Sequence, residues 1–158
     1  MKQKITTFLT FNTEAEEAVK FYTSIFANSK INSISYYPES FPNLGGKVMS
    51  ISFELNNQTF YALNAGSGFK FEQGISLLVN CKNQEEVDHY WDKLTDGGEA
   101  IACGWLKDKY GISWQITPEI LLQHMDDEDK TKSKRVMDAM MKMVKIDIAT
   151  IEKAYNGE

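Results

Sequence analysis

The stretch CGWLKDKYGISWQI, residues 103–116, is typical of two short strands joined by the turn KDKYG. Alternate side chains of a strand point to opposite faces, so Ser113 and Gln115 share one face of the second strand. Trp114 and Ile116 share the other face. The amide of Gln115 has two explanations: its face is the polar floor of a cleft, or the side chain hydrogen-bonds neighbouring backbone inside the core.

The same order of elements occurs twice along the chain. A strand is followed by a helix, which carries EEAVKFY at residues 16–22 and EEVDHYW at residues 85–91, and further strands follow each helix. The first helix is predicted to open with a capping box from Thr13 to Glu16, the second with Asn83 and Glu86. The predicted strands are ITTFLTF, KINSISYY, KVMSISFEL and TFYALNAG in the first copy, and ISLLVNC, EAIACGWL and ISWQIT in the second. GSGFKF, residues 66–71, is predicted to join the two βα(ββ) units.

The last forty residues have a different pattern. After the helical stretch EILLQHM, the charge run DDEDKTKSKR is typical of a solvated connection or a helix start. RVMDAMMKMVKIDIATIEKAY, from Arg135 to Tyr155, is predicted to be one amphipathic helix that covers the protein's own sheet or another subunit. Its apolar stripe is Val136, Met140, Val144, Ile148 and Ile151, extended by Met137, Met141 and Tyr155.

Composition sets the outer limits. With 158 residues, 42% of them hydrophobic and 25% charged, the chain is long enough for one good core or two small modules. A formal net charge of −5 argues against binding to nucleic acid and to anionic membranes. The sequence shows neither an export signal nor a run of eighteen apolar residues, so we expect a soluble, cytoplasmic protein.

Motifs of common catalytic chemistry are missing. Cys81 and Cys103 lack CxxC spacing and are predicted to be reduced and structural, and His89 lies in no HExxH pattern. The sequence contains no GxGxxG, GxxxxGK[ST] or GxSxG motif. We therefore assign no catalytic residue, no resident cofactor and no S-adenosylmethionine loop from the sequence.

Four segments resemble the PhnB-like branch of the glyoxalase/bleomycin-resistance superfamily, also called vicinal oxygen chelate (VOC) proteins. They are FLTFNTEAEEAVKFYTSIFANSKI, TFYALNAG, QEEVDHYWDKL and CGWLKDKYGISWQITP. The tail from Arg135 to Tyr155 resembles the C-terminal segment of the same branch. Members often carry the label 3-demethylubiquinone-9 3-methyltransferase.

The resemblance implies an α+β fold of tandem βαβββ modules that curl into a cup, followed by a C-terminal amphipathic helix. We expect a single VOC-like domain over residues 1–158, with modules at 1–68 and 74–118 and a helical tail at 119–158. A two-fold partner chain frequently completes the cup in this superfamily, so the protein is expected to be a homodimer.

The resemblance also indicates where a ligand would bind. Metal-dependent relatives place His and Glu near the ends of cup strands, whereas the matching segments here offer Thr6 or Thr7, Leu63 or Asn64, Ser76, and Gln115. These neutral groups lack the anionic or imidazole donors that hold a divalent ion, so no metal is expected. Four aromatic residues either form the walls of the pocket or belong to the core: Phe69, Phe71, Trp105 and Trp114.

Two classes of function compete. The first is metal-independent binding of a small molecule, as in the bleomycin-resistance members. The second is a VOC-type enzyme, either a lyase, isomerase or dioxygenase-like catalyst with a weakly recruited metal, or the methyltransferase of the family label. Since the inferred cup offers no good general base, binding is favoured. A scaffold that acts through its dimer surface is a third hypothesis.

Overall fold

The computed structural model of the protein describes residues 4–158 and divides them into two compact units. The first unit ends at Lys70 and the second begins at Phe71. The first contains β1 (Thr7–Phe11), α1 (Ala15–Ile25), β2 (Lys30–Tyr36), β3 (Val48–Leu55) and β4 (Gln58–Asn64). The second contains β5 (Leu77–Cys81), α2 (Gln84–Thr95), β6 (Glu99–Ala100), β7 (Trp105–Lys107), β8 (Ser113–Pro118), α3 (Glu119–Met125), α4 (Lys130–Met140) and α5 (Ile148–Asn156).

Each unit contains a four-stranded sheet with the same connectivity. The strand order is β1-β4-β3-β2 in the first sheet and β5-β8-β7-β6 in the second. In both sheets the first strand pairs in parallel with the last, and the other pairs are antiparallel. Tandem βαβββ modules are therefore confirmed.

The core of the first unit lies between α1 and its sheet. Alternate residues of β3 and β4, among them Phe53 and Phe60, are buried on this face, and the two rings stack at 5.5 Å between centroids. Val19 and Tyr22 of α1 are fully buried. The turn between β3 and β4 has the sequence NNQ, and Asn56 and Asn57 adopt φ of 47° and 65°, as a tight hairpin requires.

The start of α1 differs from the prediction. The helix begins at Ala15, Thr13 is exposed, and no capping box forms. Instead, the side chain of Asn64, the last residue of β4, accepts a hydrogen bond from the Ala15 backbone N–H at 2.9 Å. A residue 49 positions away therefore supplies the acceptor for the helix end, which a local sequence pattern does not reveal.

The second helix begins as predicted. Asn83 Oδ1 accepts from the Glu86 N–H at 2.9 Å, and the Glu86 carboxylate accepts from the Lys82 N–H at 2.9 Å. Val87, Trp91 and Leu94 of α2 are buried. This agreement reflects a cap whose donor and acceptor are three residues apart in the sequence.

The predicted strand EAIACGWL is interrupted, because β6 ends at Ala100 and β7 begins at Trp105. Cys103 and Gly104 between them have φ of 59° and 80°, in the left-handed region. A Cβ on Gly104 would lie 2.9 Å from the Ile116 carbonyl oxygen, so only glycine fits there. The N–H groups of Cys103 and Gly104 donate to the carbonyls of Met143 and Val144 instead of continuing a strand.

The C-terminal helical segment is confirmed, but residues 135–155 are divided between two helices where the sequence predicted one. The helix α4 ends at Met140, and α5 begins at Ile148 after Asp147, which accepts a hydrogen bond from the Thr150 N–H at 2.7 Å. The connection is held by Gln84, which donates to the Ile146 carbonyl and accepts from the Ile148 N–H. The break is therefore specified by a local cap and by contacts to α2.

Side chains of the tail form a small core within the second unit. Its fully enclosed members are Leu121, Val136, Ile146 and Ile151, and Met140 and Tyr155 pack against them. Three other residues of the predicted stripe are exposed by about half: Met137, Met141 and Val144. Among the helices of residues 4–158, none is long and apolar enough to cross a membrane.

Candidate functional site: the far faces of the two sheets

Each sheet packs one face against its own helix. We call the opposite face the far face and describe it separately for each unit. Side chains that lie directly across from one another on neighbouring strands point to the same face. The strand register therefore places the residues of each far face in rows that cross the sheet.

The far face of the first sheet has two rows without a charged side chain. One row is Phe8, Tyr61, Ser52 and Ser33, and the other is Thr10, Leu63, Ser50 and Ser35. The rings of Phe8 and Tyr61 are nearly parallel, with centroids 5.9 Å apart. The hydroxyls of Ser35 and Ser50 lie 2.7 Å apart, within hydrogen-bond distance.

Charged groups begin one row further along this sheet, where they are paired. Glu54 lies opposite Lys30 in the register, with a carboxylate–ammonium distance of 3.7 Å. The second oxygen of Glu54 accepts from the Asn32 amide at 3.1 Å. The two rows of hydroxyl and apolar side chains therefore form a continuous uncharged surface.

The far face of the second sheet contains Gln115. Leu78, Gln115 and Trp105 form one row across three strands, and Leu78 is 43% exposed. Gln115 Nε2 donates to Ser76 Oγ at 2.8 Å. Within residues 4–158, no donor reaches Gln115 Oε1, so this oxygen is available to a ligand. The amide therefore lies on a half-buried face and is hydrogen-bonded to a side chain, Ser76, and not to neighbouring backbone.

Three other predicted site residues lie elsewhere. Thr7 is opposite Phe60, on the helix-packed face of the first sheet. Asn64 is only 6% exposed, and its amide is engaged by the Ala15 N–H and the Val48 carbonyl. Trp114 is 2% exposed, and its indole N–H donates to Asp108 at 2.8 Å. The hydrogen bonds of Asn64 and Trp114 are therefore structural.

The remaining aromatic residues, Phe69 and Phe71, lie in the chain segment that connects β4 to β5. The backbone of Phe69 is held by the Asn12 side chain through bonds of 3.1 and 3.4 Å. The ring of Phe71 lies beside Gly111, 3.9 Å from where a Cβ would stand on that glycine. Of the eight predicted residues, the structure brings Ser76, Gln115 and Trp105 together on one face.

Asp108 supports this face and was missed by the sequence reasoning. It is 3% exposed, and its carboxylate accepts from the N–H groups of Tyr110 and Ile112 and from the Trp114 indole. These bonds fix the turn between β7 and β8, which carry Trp105 and Gln115. An aspartate that opens a turn ending in glycine is the signal that could have revealed it.

A concave surface of about 390 Å³ lies in the first unit and includes Asn64. Its charged members already have partners: Glu16 is 2.7 Å from the Lys20 ammonium, and Lys47 donates to the Asn43 carbonyl at 3.1 Å. The Asn64 amide points into hydrogen bonds with the protein itself. We assign this surface to the packing of α1 against the loop before β3.

The donors on the second far face do not fit the divalent metal of VOC enzymes. Ser76 and Gln115 provide neutral oxygens only, whereas such ions need carboxylate, imidazole or thiolate ligands. No group of three or more His, Cys, Asp or Glu side chains that could hold a metal occurs among residues 4–158. Burial raises the pKa of the Cys81 thiol to about 12, so this cysteine is protonated at neutral pH.

Two βαβββ modules with matching sheets define a protein of the glyoxalase/bleomycin-resistance fold class. Residues 3–117 match the family model described as 3-demethylubiquinone-9 3-methyltransferase. The chain belongs to this family, the PhnB-like branch of the VOC superfamily.

Three solved structures are similar to the chain to different degrees. The chain is 43% identical to a putative 3-demethylubiquinone-9 3-methyltransferase, PhnB protein, from Bacillus cereus, with 73% of this chain and 99% of that one covered and a TM-score of 0.69. A Staphylococcus aureus protein is 36% identical, covering 72% and 93% of the two chains with a TM-score of 0.35. A Pseudomonas aeruginosa protein shares the fold at 18% identity, 75% and 98% coverage and a TM-score of 0.59. No curated protein matches.

The family match ends before the C-terminal tail. The model stops at residue 117, and the Bacillus cereus protein is covered almost completely by 73% of this chain. The resemblance that the sequence suggested for residues 135–155 is therefore not supported by these comparisons. The helices α3, α4 and α5 follow the matched residues within the second unit.

Proposed function

We propose that this protein binds a small molecule without a metal ion, on the far face of the second sheet. The observation that carries the proposal is the Gln115 amide, whose nitrogen is fixed by Ser76 while its oxygen has no donor among residues 4–158. Small-molecule sites combine apolar walls with a few placed polar groups, and Trp105 and Leu78 supply the apolar contacts in the same row.

The hydrogen-bonding capacities of Gln115 and Ser76 determine what each can offer to a ligand. With its nitrogen engaged, Gln115 offers Oε1 as an acceptor for an N–H or O–H of the ligand. Ser76, which accepts from Gln115, keeps its own hydroxyl proton for donation. The site is thus suited to a ligand that presents a donor beside an acceptor, next to a ring or chain that contacts Trp105.

Binding without conversion is favoured by the chemistry of this face. Serine, glutamine and tryptophan side chains do not take up a proton near neutral pH, so the row supplies no general base. The methyltransferase activity in the family description is the alternative. It requires S-adenosylmethionine to bind, which the experiment below measures directly.

The experiment screens ligands by thermal shift and measures affinities by calorimetry, with Gln115→Leu as the test variant and Gln123→Leu, an exposed glutamine of α3, as the matched control. We expect Gln115→Leu to weaken the selected ligand about tenfold or more, because the acceptor is removed, while Gln123→Leu leaves the affinity unchanged. Equal affinities in the two variants would reject Gln115 as the ligand-binding group.

Two further measurements separate the binding proposal from its alternatives. Elemental analysis of protein purified after mild chelation should show no stoichiometric nickel, zinc, iron or manganese. Calorimetry with S-adenosylmethionine should show no more heat than with adenosine. One retained equivalent of metal favours a metal-dependent enzyme, and saturable binding of S-adenosylmethionine favours the methyltransferase.

A further inference from the structure

We propose that the C-terminal tail positions the ligand-binding row of the second sheet, with Gln84 and Lys145 as the positioning residues. The inference rests on the function proposed above, because it concerns the same row. Its contacts lie within the second unit, between α2, β7 and the residues that join α4 to α5. We call those joining residues, 141–147, the tail connection. The family model stops at residue 117, so the tail connection is an addition to the matched family residues.

The tail connection contacts the chain immediately before β7. The Cys103 N–H donates to the Met143 carbonyl at 2.9 Å, and the Gly104 N–H donates to the Val144 carbonyl at 2.8 Å. Both donors lie where the strand is interrupted, and the tail supplies their acceptors. The left-handed backbone of Cys103, with φ of 59°, is unfavourable for a residue with a Cβ and persists because its surroundings hold it. The tail connection therefore fixes the two residues directly before Trp105.

Gly104 transmits this constraint to the ligand-binding row. Its carbonyl accepts from the Ile116 N–H at 2.8 Å, and Ile116 follows Gln115 on β8. Trp105, the residue after Gly104, lies directly across from Gln115. Because β7 has only three residues, few ladder bonds hold Trp105 besides these contacts. One residue thus joins the tail to both strands that carry Trp105 and Gln115.

The tail connection is itself held by α2, on the helix-packed side of the sheet. Gln84 Nε2 donates to the Ile146 carbonyl at 3.1 Å, and Gln84 Oε1 accepts from the Ile148 N–H at 2.8 Å. The Lys145 ammonium lies 2.8 Å from the Asp88 carboxylate, and this hydrogen bond lowers the pKa of Asp88 and raises the pKa of Lys145. Because both contacts are made to α2, replacing Gln84 or Lys145 removes no group from the ligand-binding face.

Hydrogen exchange followed by NMR tests the tail contact without any ligand. Gln84→Ala should speed the exchange of the Cys103 and Gly104 N–H groups about tenfold, because the segment that supplies their acceptors is released. Glu85→Ala, at the next and exposed position of α2, is the matched control and should leave both rates unchanged.

A second pair of variants keeps the test valid if Gln84→Ala does not fold. Lys145→Ala removes the partner of Asp88 and should also speed the exchange of Cys103 and Gly104. Lys145→Arg keeps a cation beside Asp88 and should exchange at the native rate. Native exchange rates in Lys145→Ala would overturn the proposal, as would native rates in a folded Gln84→Ala.

Calorimetry with 2-naphthamide tests the effect on binding. Its amide N–H and carbonyl match the Gln115 oxygen and the Ser76 hydroxyl, and its ring can contact Trp105. Gln84→Ala should weaken binding about three- to tenfold, while Glu85→Ala binds as the native protein does. The loss should disappear in a Trp105→Leu background, because the tail acts through the position of Trp105. An equal loss in both backgrounds would show a merely structural role of Gln84 and overturn the proposal.

The two proposals fail separately. If Gln84→Ala exchanges faster but binds 2-naphthamide with native affinity, the positioning role is rejected and the proposed function stands. If Gln115→Leu binds 2-naphthamide as the native protein does, or the native protein does not bind it, the Trp105 signal in fluorine NMR of fluorotryptophan-labelled protein decides. A shift of that signal in Gln84→Ala supports positioning by the tail, and an unchanged signal overturns it.

Discussion

Asn64 and Gln115 show how two neutral amides acquire different roles from their positions in a strand. Asn64 shares the helix-packed face of β4 with Phe60, so its side chain is buried and hydrogen-bonded to the protein. Gln115 is on the opposite face from Trp114, so its side chain is only partly buried. Alternation within β8 was visible in the sequence. The contact of Asn64 with α1 was not, since it joins residues that are distant along the chain.

The role of Asn64 leads to a stability prediction. Asn64→Ala should lower the free energy of unfolding by about 1–3 kcal/mol, because the Ala15 N–H and the Val48 carbonyl both lose their buried partner. Urea denaturation measures the change as a shift of the midpoint. Asn80→Ala, at an exposed position of β5, is the control and should change the free energy by less than about 0.5 kcal/mol. Equal effects of the two substitutions would contradict the helix-capping role.

The two cysteines are predicted to differ in reactivity, although the sequence analysis predicted the same structural role for both. Burial raises the pKa of Cys81 to about 12, so its thiolate is scarce at pH 8, whereas Cys103 is partly exposed beside Met141, with the two sulfurs 3.8 Å apart. Iodoacetamide at pH 8 should modify Cys103 alone in the folded protein, as read by peptide mass spectrometry. Cys103→Ser should remove the modification, and rapid labelling of Cys81 in the native state would contradict its burial.

At the scale of elements, the two helices of the modules and the strands next to them follow from periodicity and turn residues. The interruption between β6 and β7 does not, because Ala102 and Cys103 have no turn signal strong enough to break the apolar run EAIACGWL. The break between α4 and α5 did have a sequence signal. Asp147 precedes Thr150 by three residues, which is the spacing of a helix N-cap. The continuous apolar stripe of the tail obscured this signal.

Tyr155 connects α5 to the segment before α4, and this contact is expected to depend on pH. Its hydroxyl donates to Asp127 at 2.6 Å, which lowers the pKa of the Asp127 carboxyl and raises the pKa of the Tyr155 phenol. The ionised Asp127 carboxylate therefore stabilises the fold at pH values above the ordinary carboxyl pKa. This stabilisation is lost as the pH falls through the lowered pKa of Asp127. The protonated Tyr155 phenol stabilises the fold at pH values below the ordinary phenol pKa. This stabilisation is lost as the pH rises through the raised pKa of Tyr155.

Replacing this tyrosine tests the connection. In Tyr155→Phe, the pKa of Asp127 should rise towards the ordinary carboxyl value, because the hydrogen bond from Tyr155 is the main reason that this pKa is lowered. Carboxyl chemical shifts followed by NMR during an acid titration measure the change. Tyr36→Phe, at an exposed ring of β2, is the control. An unchanged Asp127 pKa in Tyr155→Phe would show that the contact does not persist in solution.

At the scale of the whole chain, the repeated order of strand, helix and strands was sufficient to predict two modules, because connectivity depends on the order of elements and not on their exact ends. The uncharged rows on the far face of the first sheet were not predicted. They contain the alternating serines of β2 and β3, residues 33, 35, 50 and 52, which the strand register brings into adjacent rows. Register between strands is set by turns and bulges, and composition does not reveal it.

Assembly remains a prediction, and the structure sharpens its test. Met140 packs against the core of the tail, so its replacement by a charged residue would disrupt folding. Met141 and Val144 are 63% and 53% exposed and follow the end of α4. They are the apolar residues of the tail that a second copy of the chain would bury in a two-fold interface.

We therefore expect light scattering at micromolar concentration to give twice the 18.0 kDa mass of the chain, and Met141→Asp/Val144→Asp to give the monomer. Each aspartate would place an unpaired charge in the interface, which weakens association by about 2–5 kcal/mol. The control, Gln123→Asp on an exposed position of α3, should remain dimeric. A native monomer would refute the dimer. A double variant that stays dimeric and folded would assign the interface to the sheets, since the exposed side chains of the tail would then face solvent.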